Sequence, residues 1–363
     1  MTSDPKQLGD FKILGPAPSN CDCSSFRPSA AVSYVSSELK LADRFGALKA
    51  RSGIRRMDYA IPPGLYALGT PGSDSEVLVT ANYKLTFDKL RSSLPGRDLW
   101  ILVLDTKGIN VWCAAGKGTF GTEELVRRIA ACRLEEVVSH RRVIVPQLGA
   151  PGVAAHLVKK QSGFKVVYGP ILADDLPAFL DAGRKATPEM RRKAFTISER
   201  AVLIPLEITG AFRMLLFLAL AFFFLSGIGG PGDYWTNVMS SGLLAVFAIM
   251  GVLLGGAILT PLLLPWLPGK AFSLKSLPLA LLMAVLVVFW RGGDMTQWPA
   301  RVEAGAWLLI ASSLTTFLAM NFTGASTYTS LSGVKKEMRI AVPAQIAAAT
   351  VGLILWVASR IIA

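Results

Sequence analysis

The chain has 363 residues, a net charge of +13, and 52% hydrophobic against 17% charged residues. This length accommodates a soluble domain together with a membrane region. Nucleic-acid binding is not indicated, because much of the positive charge lies in residues 184–200, directly before the first long apolar run, where cations are typical of juxtamembrane segments. Four cysteines in a chain of this size do not predict a disulfide framework and fit a reducing cytoplasm.

Residues 1–60 form an irregular N-terminal segment with many prolines and serines, and a short helix is expected around 36–50. Its first residues are polar and contain no apolar run, so we expect no secretory signal peptide. Cys21 and Cys23 lie in this segment. They could hold Hg(II) or receive it from a partner, but they also fit ordinary thiols in a mobile segment.

Residues 61–183 alternate between strand and helix patterns. Strands are expected at 76–80, 99–104, 142–145 and 164–168, and helices at 122–133, 153–160 and 174–182. Strands that alternate with helices predict an α/β domain with a doubly wound, mostly parallel sheet. Ligands of such sheets bind at the carboxyl ends of the strands. The segments expected there are 81–82, 105–117, 146–151 and 169–170, which are rich in glycine and proline, as a loop-built cofactor site requires.

One thiol is expected at the start of a helix beside this edge. Asn110 is a candidate N-cap, so Cys113 would lie in the first helical turn, where the helix dipole favours thiolate. Lys117 follows one turn later on the same face and adds positive charge. A thiolate presented in this way is a nucleophile or a metal ligand. The pattern G-x-G-x-x-G at 116–121 is not a dinucleotide fingerprint, because it does not directly follow a strand.

Residues 110–117 read Asn-Val-Trp-Cys-Ala-Ala-Gly-Lys. This resembles the cap-helix motif Asn-(Val/Ile)-Trp-Cys-Ala-(Ala/Ser)-Gly-Lys of the mercury-methylating corrinoid proteins, the HgcA family, and the resemblance extends over most of residues 60–180. It implies a cobalamin-type corrinoid bound base-off, with the Cys113 thiolate as catalytic axial ligand to cobalt. The implied cofactor-binding residues are Thr80, Asn82, Asn110, Val111, Trp112, Cys113, Ala114, Ala115, Gly116, Lys117, Gln147, Leu148 and Gly149.

The small residues Ala114, Ala115 and Gly116, with Trp112, are expected to form the packing surface of this helix, where a flat macrocycle can approach the backbone. Trp112 fits either the core or the border of the corrin. A thiolate is a soft, strongly donating ligand, and donation to cobalt should favour departure of the methyl group as a carbanion equivalent, which electrophilic Hg(II) requires. The related corrinoid iron–sulfur proteins of acetyl-CoA synthesis lack a cysteine at this position, so Cys113 separates the two functions.

The resemblance also implies a partner. A methyl group that arrives as a cation, from a donor such as a methyl-folate system, and leaves as a carbanion consumes two low-potential electrons in each turnover. The four cysteines of this chain, one of them assigned to cobalt, do not provide an iron–sulfur site. We therefore expect a separate ferredoxin-like [4Fe–4S] protein of the HgcB type, which donates electrons and delivers Hg(II).

After a basic juxtamembrane linker, 184–203, residues 204–363 are expected to form an all-α transmembrane domain. Five apolar stretches are long enough to cross a bilayer: 210–229, 238–265, 276–290, 304–322 and 341–359. Cations concentrate in alternate loops, which places the α/β domain in the cytoplasm, the spans in the inner membrane and the C-terminus outside.

The leading function is therefore a membrane-anchored corrinoid-dependent methyltransferase that forms methylmercury. The alternatives are a corrinoid methyl carrier of one-carbon metabolism in the acetyl-CoA pathway, with a different acceptor, and a membrane transporter with a cytoplasmic regulatory domain. The transporter has less support, because the spans carry few charged residues and show no internal repeat.

Overall fold

The computed structural model describes residues 32–292, 295–322 and 331–362. They separate into two compact units, one that ends at Lys193 and one that begins at Ala194, and the short segment Arg51–Gly53 is grouped with the second. The finer domain boundaries expected at residues 60, 183 and 203 stay predictions. Cys21 and Cys23 lie outside the described residues.

The first unit is built on a six-stranded sheet with the order β1-β2-β4-β3-β5-β6. Every neighbouring pair is parallel except β2 and β4, so the predicted mostly parallel sheet is confirmed. The strand bounds are β1 Ser33–Val35, β2 Gly64–Leu68, β3 Val77–Ala81, β4 Leu99–Leu104, β5 Arg142–Val145 and β6 Lys165–Tyr168. The sequence pattern predicted β3 to β6 and missed the two short strands at one edge.

Helices cover both faces of this sheet, as expected for a doubly wound fold. Alternate residues of β4 enter different cores: Trp100 and Leu102 pack on one face, and Ile101 and Val103 on the other. Apolar residues of α3, α4 and α6 pack on the first face, and those of α2 and α7 on the second. The helix bounds are α1 Leu41–Arg51, α2 Lys84–Ser92, α3 Val111–Gly116, α4 Thr122–Ala131, α5 Leu134–Val137, α6 Ala155–Ser162 and α7 Leu176–Asp181.

The strand order creates a switch point between β3 and β5. The chain leaves β3 towards β4 on one side, whereas it leaves β5 towards β6 on the other. Loops that depart in opposite directions leave a crevice at the carboxyl ends of the strands, where α/β proteins bind ligands. The segments that follow β3, β4 and β5 meet at this edge, and they contain the cysteine predicted from the sequence.

In the described part of the second unit, five helices are long and apolar enough to cross a membrane, which confirms the predicted number of spans. About half of the residues in the second and fourth spans are buried inside the unit, against few in the first and fifth. The spans are Ile197–Leu225, Tyr234–Leu263, Phe272–Arg291, Trp298–Asn321 and Gly333–Ile361. The second span includes two π-helical segments, Val238–Gly242 and Leu254–Leu259. The orientation of the five spans in the membrane stays a prediction.

Candidate functional site

The loop between β4 and α3 is held in one conformation by Asn82, which directly follows β3. The side-chain oxygen of Asn82 accepts hydrogen bonds from the backbone N–H groups of Thr106 and Gly108, at 3.1 and 3.0 Å. Asn82 and Thr106 are both buried, so this contact is shielded from water. Gly108 has φ +70°, and the preceding Lys107 has φ +58°. Two successive left-handed residues turn the chain sharply, and the Asn82 oxygen satisfies the donors that this turn exposes.

Helix α3 starts at Asn110, as the sequence predicted. The Asn110 side chain accepts a hydrogen bond from the backbone N–H of Cys113 at 2.9 Å, which is the N-cap contact expected for asparagine. Cys113 is therefore the third residue of the first helical turn. Its backbone is fixed by the cap and by a hydrogen bond that its carbonyl accepts from Lys117 N–H at 3.1 Å.

The two faces of α3 have different roles. Val111, Ala114 and Ala115 are buried in the core beneath the helix. Trp112 is 37% exposed, Cys113 is partly exposed, and both Gly116 and Lys117 are exposed. These last four residues are spaced i, i+1, i+4 and i+5, which places them on one face of the helix. That face presents to solvent the indole of Trp112, the thiol of Cys113, the bare backbone of Gly116 and the ammonium group of Lys117.

This arrangement changes part of the sequence interpretation. Ala114 and Ala115 were expected on the surface that a flat ligand approaches, but their side chains point into the core because they anchor a helix of only six residues. Gly116 keeps the expected role, since a Cβ placed there would have open space around it. Trp112, which the sequence could assign to either environment, lies outside the core.

The loop that follows β5 packs tightly beside α3. A Cβ on Gly152 would lie 2.1 Å from the carbonyl oxygen of Phe120 and 3.2 Å from Ala115 Cα, and a Cβ on Gly149 would lie 2.4 Å from the Phe120 ring. The same loop is tied to α4, because Thr122 N–H donates to the Gly152 carbonyl at 3.1 Å. Glycine at both positions allows the close approach that brings this loop next to the helix.

The remaining predicted site residues fall into two groups. Gln147 and Leu148 are half-buried in this loop, and the Gln147 side-chain oxygen accepts a hydrogen bond from Arg191 at 3.1 Å. Thr80 and Asn82, by contrast, are only 2% and 6% exposed. Asn82 thus positions the loop that leads to Cys113. The cofactor contacts predicted for all these residues stay predictions.

Glu124 of α4 was not recognised from the sequence, yet it supports the same loop. Its carboxylate is buried and accepts a hydrogen bond from the backbone N–H of Asp105 at 2.8 Å, and it pairs with Arg127 and Arg128. Burial alone would raise the pKa of Glu124, but the Asp105 N–H and the two guanidinium groups lower it below its ordinary value. The spacing of Glu124 from its arginines was visible in the sequence; its contact with Asp105 was not.

Cys132 is the second described thiol, and it lies at the end of α4. It is 6% exposed and packs in the core, where burial raises the pKa of its thiol. It belongs to the same core cluster as Leu125 and Ile129 of α4. Among the residues that the structure describes, no group of three or more His, Cys, Asp or Glu side chains could hold a metal ion. Of the two described thiols, Cys113 is therefore the accessible one.

In a comparison with known protein families, residues 55–180 match the CO dehydrogenase/acetyl-CoA synthase delta subunit family. The chain is 31% identical over 128 residues to the acetyl-CoA decarbonylase/synthase complex subunit gamma of Archaeoglobus fulgidus, and 33% identical over 123 residues to that of Methanopyrus kandleri. These matches cover 35% and 33% of this chain, but 27% and 26% of the relatives.

The chain thus spans about a quarter of the length of the curated relatives it matches. The family match includes β2 to β6 and the whole candidate site, and it ends before the first span. The similarity therefore concerns the α/β unit, and the membrane unit has no counterpart in the matched region.

Proposed function

We propose that this chain is a membrane-bound corrinoid protein that transfers a methyl group to Hg(II), with Cys113 as the axial ligand to cobalt. The observation that carries the proposal is the position of Cys113: a partly exposed thiol in the first turn of α3, at the carboxyl edge of the sheet. The matches to acetyl-CoA synthase and decarbonylase subunits support a methyl-transfer domain of the corrinoid type. The names of the relatives favour the carrier alternative described below, so mercury as the acceptor rests on Cys113 and its motif.

The residues present fit a large flat ligand. Open space surrounds Gly116, and Trp112 and Cys113 lie on the same outward face. Trp112, Cys113, Gly116 and Lys117 would hold the group from α3, and Gln147 and Leu148 would border it from the loop after β5. A bound corrinoid would supply a methyl group on cobalt, and a Cys113 thiolate that donates to the metal would favour transfer of that group to an electrophile.

The chain's own contribution is to present the Cys113 thiol at a fixed position. Asn110 caps α3 at Cys113 N–H, and Val111, Ala114 and Ala115 anchor the helix to the core. Asn82 fixes the preceding loop from β3. A donor whose supporting contacts are already formed loses little freedom when it coordinates a metal, so its affinity and orientation are both improved.

The proposal includes partners. If the methyl group arrives as a cation and leaves as a carbanion, each turnover requires two electrons. The described residues contain no group of three or more His, Cys, Asp or Glu side chains that could hold a redox-active metal ion. We therefore propose a ferredoxin-like [4Fe–4S] protein as electron donor and source of Hg(II), and a methyl-folate type of donor. The α/β unit would face the cytoplasm, with the spans in the inner membrane.

A second candidate is a corrinoid methyl carrier of one-carbon metabolism. The observation that favours it is the naming of the relatives as subunits of an acetyl-CoA decarbonylase/synthase complex. Such a carrier delivers its methyl group to a nucleophile and has no need for a thiolate opposite the methyl. The two candidates therefore differ in what they require of Cys113.

The test is methyl transfer by the purified full chain, reconstituted with a methylcorrinoid under anaerobic conditions. We expect one methyl group to be transferred to Hg(II) for each loaded protein, and a visible spectrum that reports sulfur ligation to cobalt. Cys113→Ala should bind corrinoid yet lose both properties, whereas Cys132→Ala should keep both. Corrinoid binding without sulfur ligation in the unmodified chain would favour the carrier, and failure to bind any corrinoid would contradict both candidates.

A further inference from the structure

Among the described residues of the α/β unit, the most exposed large apolar side chains other than Tyr34 of β1 belong to α1 and the turn that follows it, residues 41–57, called here the α1 surface. From β2 to residue 193, by contrast, no described large apolar side chain is more than 39% exposed. The exposed fractions in the α1 surface are 71% for Leu41, 63% for Phe45, 59% for Leu48, 56% for Ile54 and 65% for Met57. A concentration of apolar area of this kind indicates a surface that is covered when the protein functions.

The helix is firmly attached through its opposite face, so the exposed stripe is a fixed feature of the fold. Asp43 forms ion pairs with Lys84 at 2.6 Å and Arg91 at 2.8 Å, both on α2. A Cβ on Gly46 would lie 2.5 Å from the Tyr59 hydroxyl, and Ala50 is buried. Rotation of α1 to hide its apolar residues would break these contacts.

Positive charge flanks the apolar stripe. At 100° per residue, Leu41, Phe45 and Leu48 point in nearly the same direction, with Arg44 and Arg51 along one side and Lys49 along the other. These three cations and Lys40 are exposed, and none forms an ion pair with a described residue. The acidic residue of the helix, Asp43, is turned inward. An apolar stripe bordered by cations is typical of helices that lie in the headgroup region of anionic membranes.

We propose that the α1 surface docks on an anionic lipid bilayer, with the apolar stripe among the upper acyl chains and the flanking cations at the phosphates. The five spans of the same chain ensure that a bilayer lies within reach of the tethered unit. An eleven-residue helix with one apolar stripe binds weakly on its own, so tethering converts a weak contact into a populated one. This inference is independent of the corrinoid.

The test uses the full chain in vesicles of phosphatidylcholine, with or without phosphatidylglycerol. Both contain a trace of phosphatidylcholine with a diazirine near the glycerol end of one acyl chain. After illumination, digestion and mass spectrometry, lipid adducts are expected on residues 41–57 in the anionic vesicles and far fewer in the neutral ones. Adducts on the spans provide the internal reference for insertion and folding.

Three pairs of substitutions, one of them a control, sharpen this test. Phe45→Glu with Leu48→Glu should reduce adducts on residues 41–57 at least tenfold, because it places two charges in the stripe. The matched control is Leu157→Glu with Leu172→Glu, which makes the same change at exposed positions elsewhere and should leave the adducts unchanged. Arg44→Gln with Lys49→Gln should reduce them about fivefold per charge, in the anionic vesicles only.

Three outcomes would overturn the proposal. The first is an absence of adducts on residues 41–57 while the spans are labelled. The second is labelling that Phe45→Glu with Leu48→Glu leaves unchanged. The third comes from a bifunctional cross-linker: cross-links from the α1 surface to residues 1–31 or to a second copy of the chain, in place of lipid adducts, would assign the surface to a protein contact.

Discussion

The two described cysteines lie on the same side of the sheet, yet their surroundings differ. Cys113 lies in the first turn of α3 at the carboxyl edge, where its thiol is partly exposed, whereas Cys132 follows α4 and is buried among apolar side chains. Burial raises the pKa of the Cys132 thiol and keeps it protonated and inert. Because both residues are cysteines, the comparison shows that the position and burial of a thiol decide whether it can react or coordinate.

The largest effect is expected from direct labelling of the two thiols. In the folded chain at neutral pH, iodoacetamide should modify Cys113 at least about a hundredfold faster than Cys132, because modification of a buried thiol requires local opening. Peptide mass spectrometry over time measures both rates in one sample, with the denatured chain as the control in which they converge. Equal rates in the folded chain would remove the distinction on which the comparison rests.

The support beneath Cys113 can be broken at Gly152. Gly152→Ala should lower the free energy of unfolding by about 3 kcal/mol, because its Cβ would meet the Phe120 carbonyl and the α3 backbone, which cannot move aside cheaply. Thermal unfolding of the purified chain in detergent measures the change. Gly116→Ala is the matched control and should be neutral or slightly stabilising, since its Cβ meets open space. If Gly152→Ala were equally harmless, the described packing of this loop would be wrong.

Asn82 offers a way to loosen Cys113 without touching Cys132. Asn82→Ala should cost about 2 kcal/mol, because the N–H groups of Thr106 and Gly108 lose their shared acceptor in a buried place. The alkylation rate of Cys113 should rise while that of Cys132 stays constant. Asn82→Asp restores an acceptor and should recover part of the stability. A parallel change in both rates would indicate general unfolding and contradict the local role of Asn82.

The smallest effect concerns Glu124, which links α4 to the loop before α3. Its lowered pKa means that the folded state holds the ionised form, so this stabilisation is complete above the ordinary carboxyl value and is lost as pH falls through the lowered one. Glu124→Gln should therefore cost about 1 kcal/mol at neutral pH. The difference should disappear in acid. Unfolding measured across pH tests this, and Glu123→Gln, at an exposed neighbour without the Asp105 contact, is the matched control and should change the stability at neutral pH little.

Local signals allowed much of the sheet to be predicted. The bounds of β4 and β5 agree with the sequence interpretation residue for residue, because both strands are continuous apolar runs between turn residues. The short edge strands β1 and β2 were missed, since three and five residues beside serines and prolines give little pattern. The cap at Asn110 was predicted because capping depends on residues three positions apart.

Contacts between distant segments could not be read in the same way. The Asn82 oxygen accepts hydrogen bonds from Thr106 and Gly108, which the strand order brings next to it, and these contacts were not foreseen; the ligand contact of Asn82 stays a prediction. Ala114 and Ala115 were expected on the packing surface that a flat ligand approaches, because small residues suit a close ligand, and they suit close packing on a core equally well. To decide whether such small residues contact a ligand or pack on the core, one must know which face of the short helix meets the sheet.

The length of α3 has a consequence for how the domain matures. A helix of six residues is far below the roughly 12–15 residues at which isolated helices become stable, so its order depends on the contacts below it and on its cap. Such a segment opens at a lower free energy than the strands it covers. We therefore expect the domain to complete its sheet first and to order α3 last as it matures.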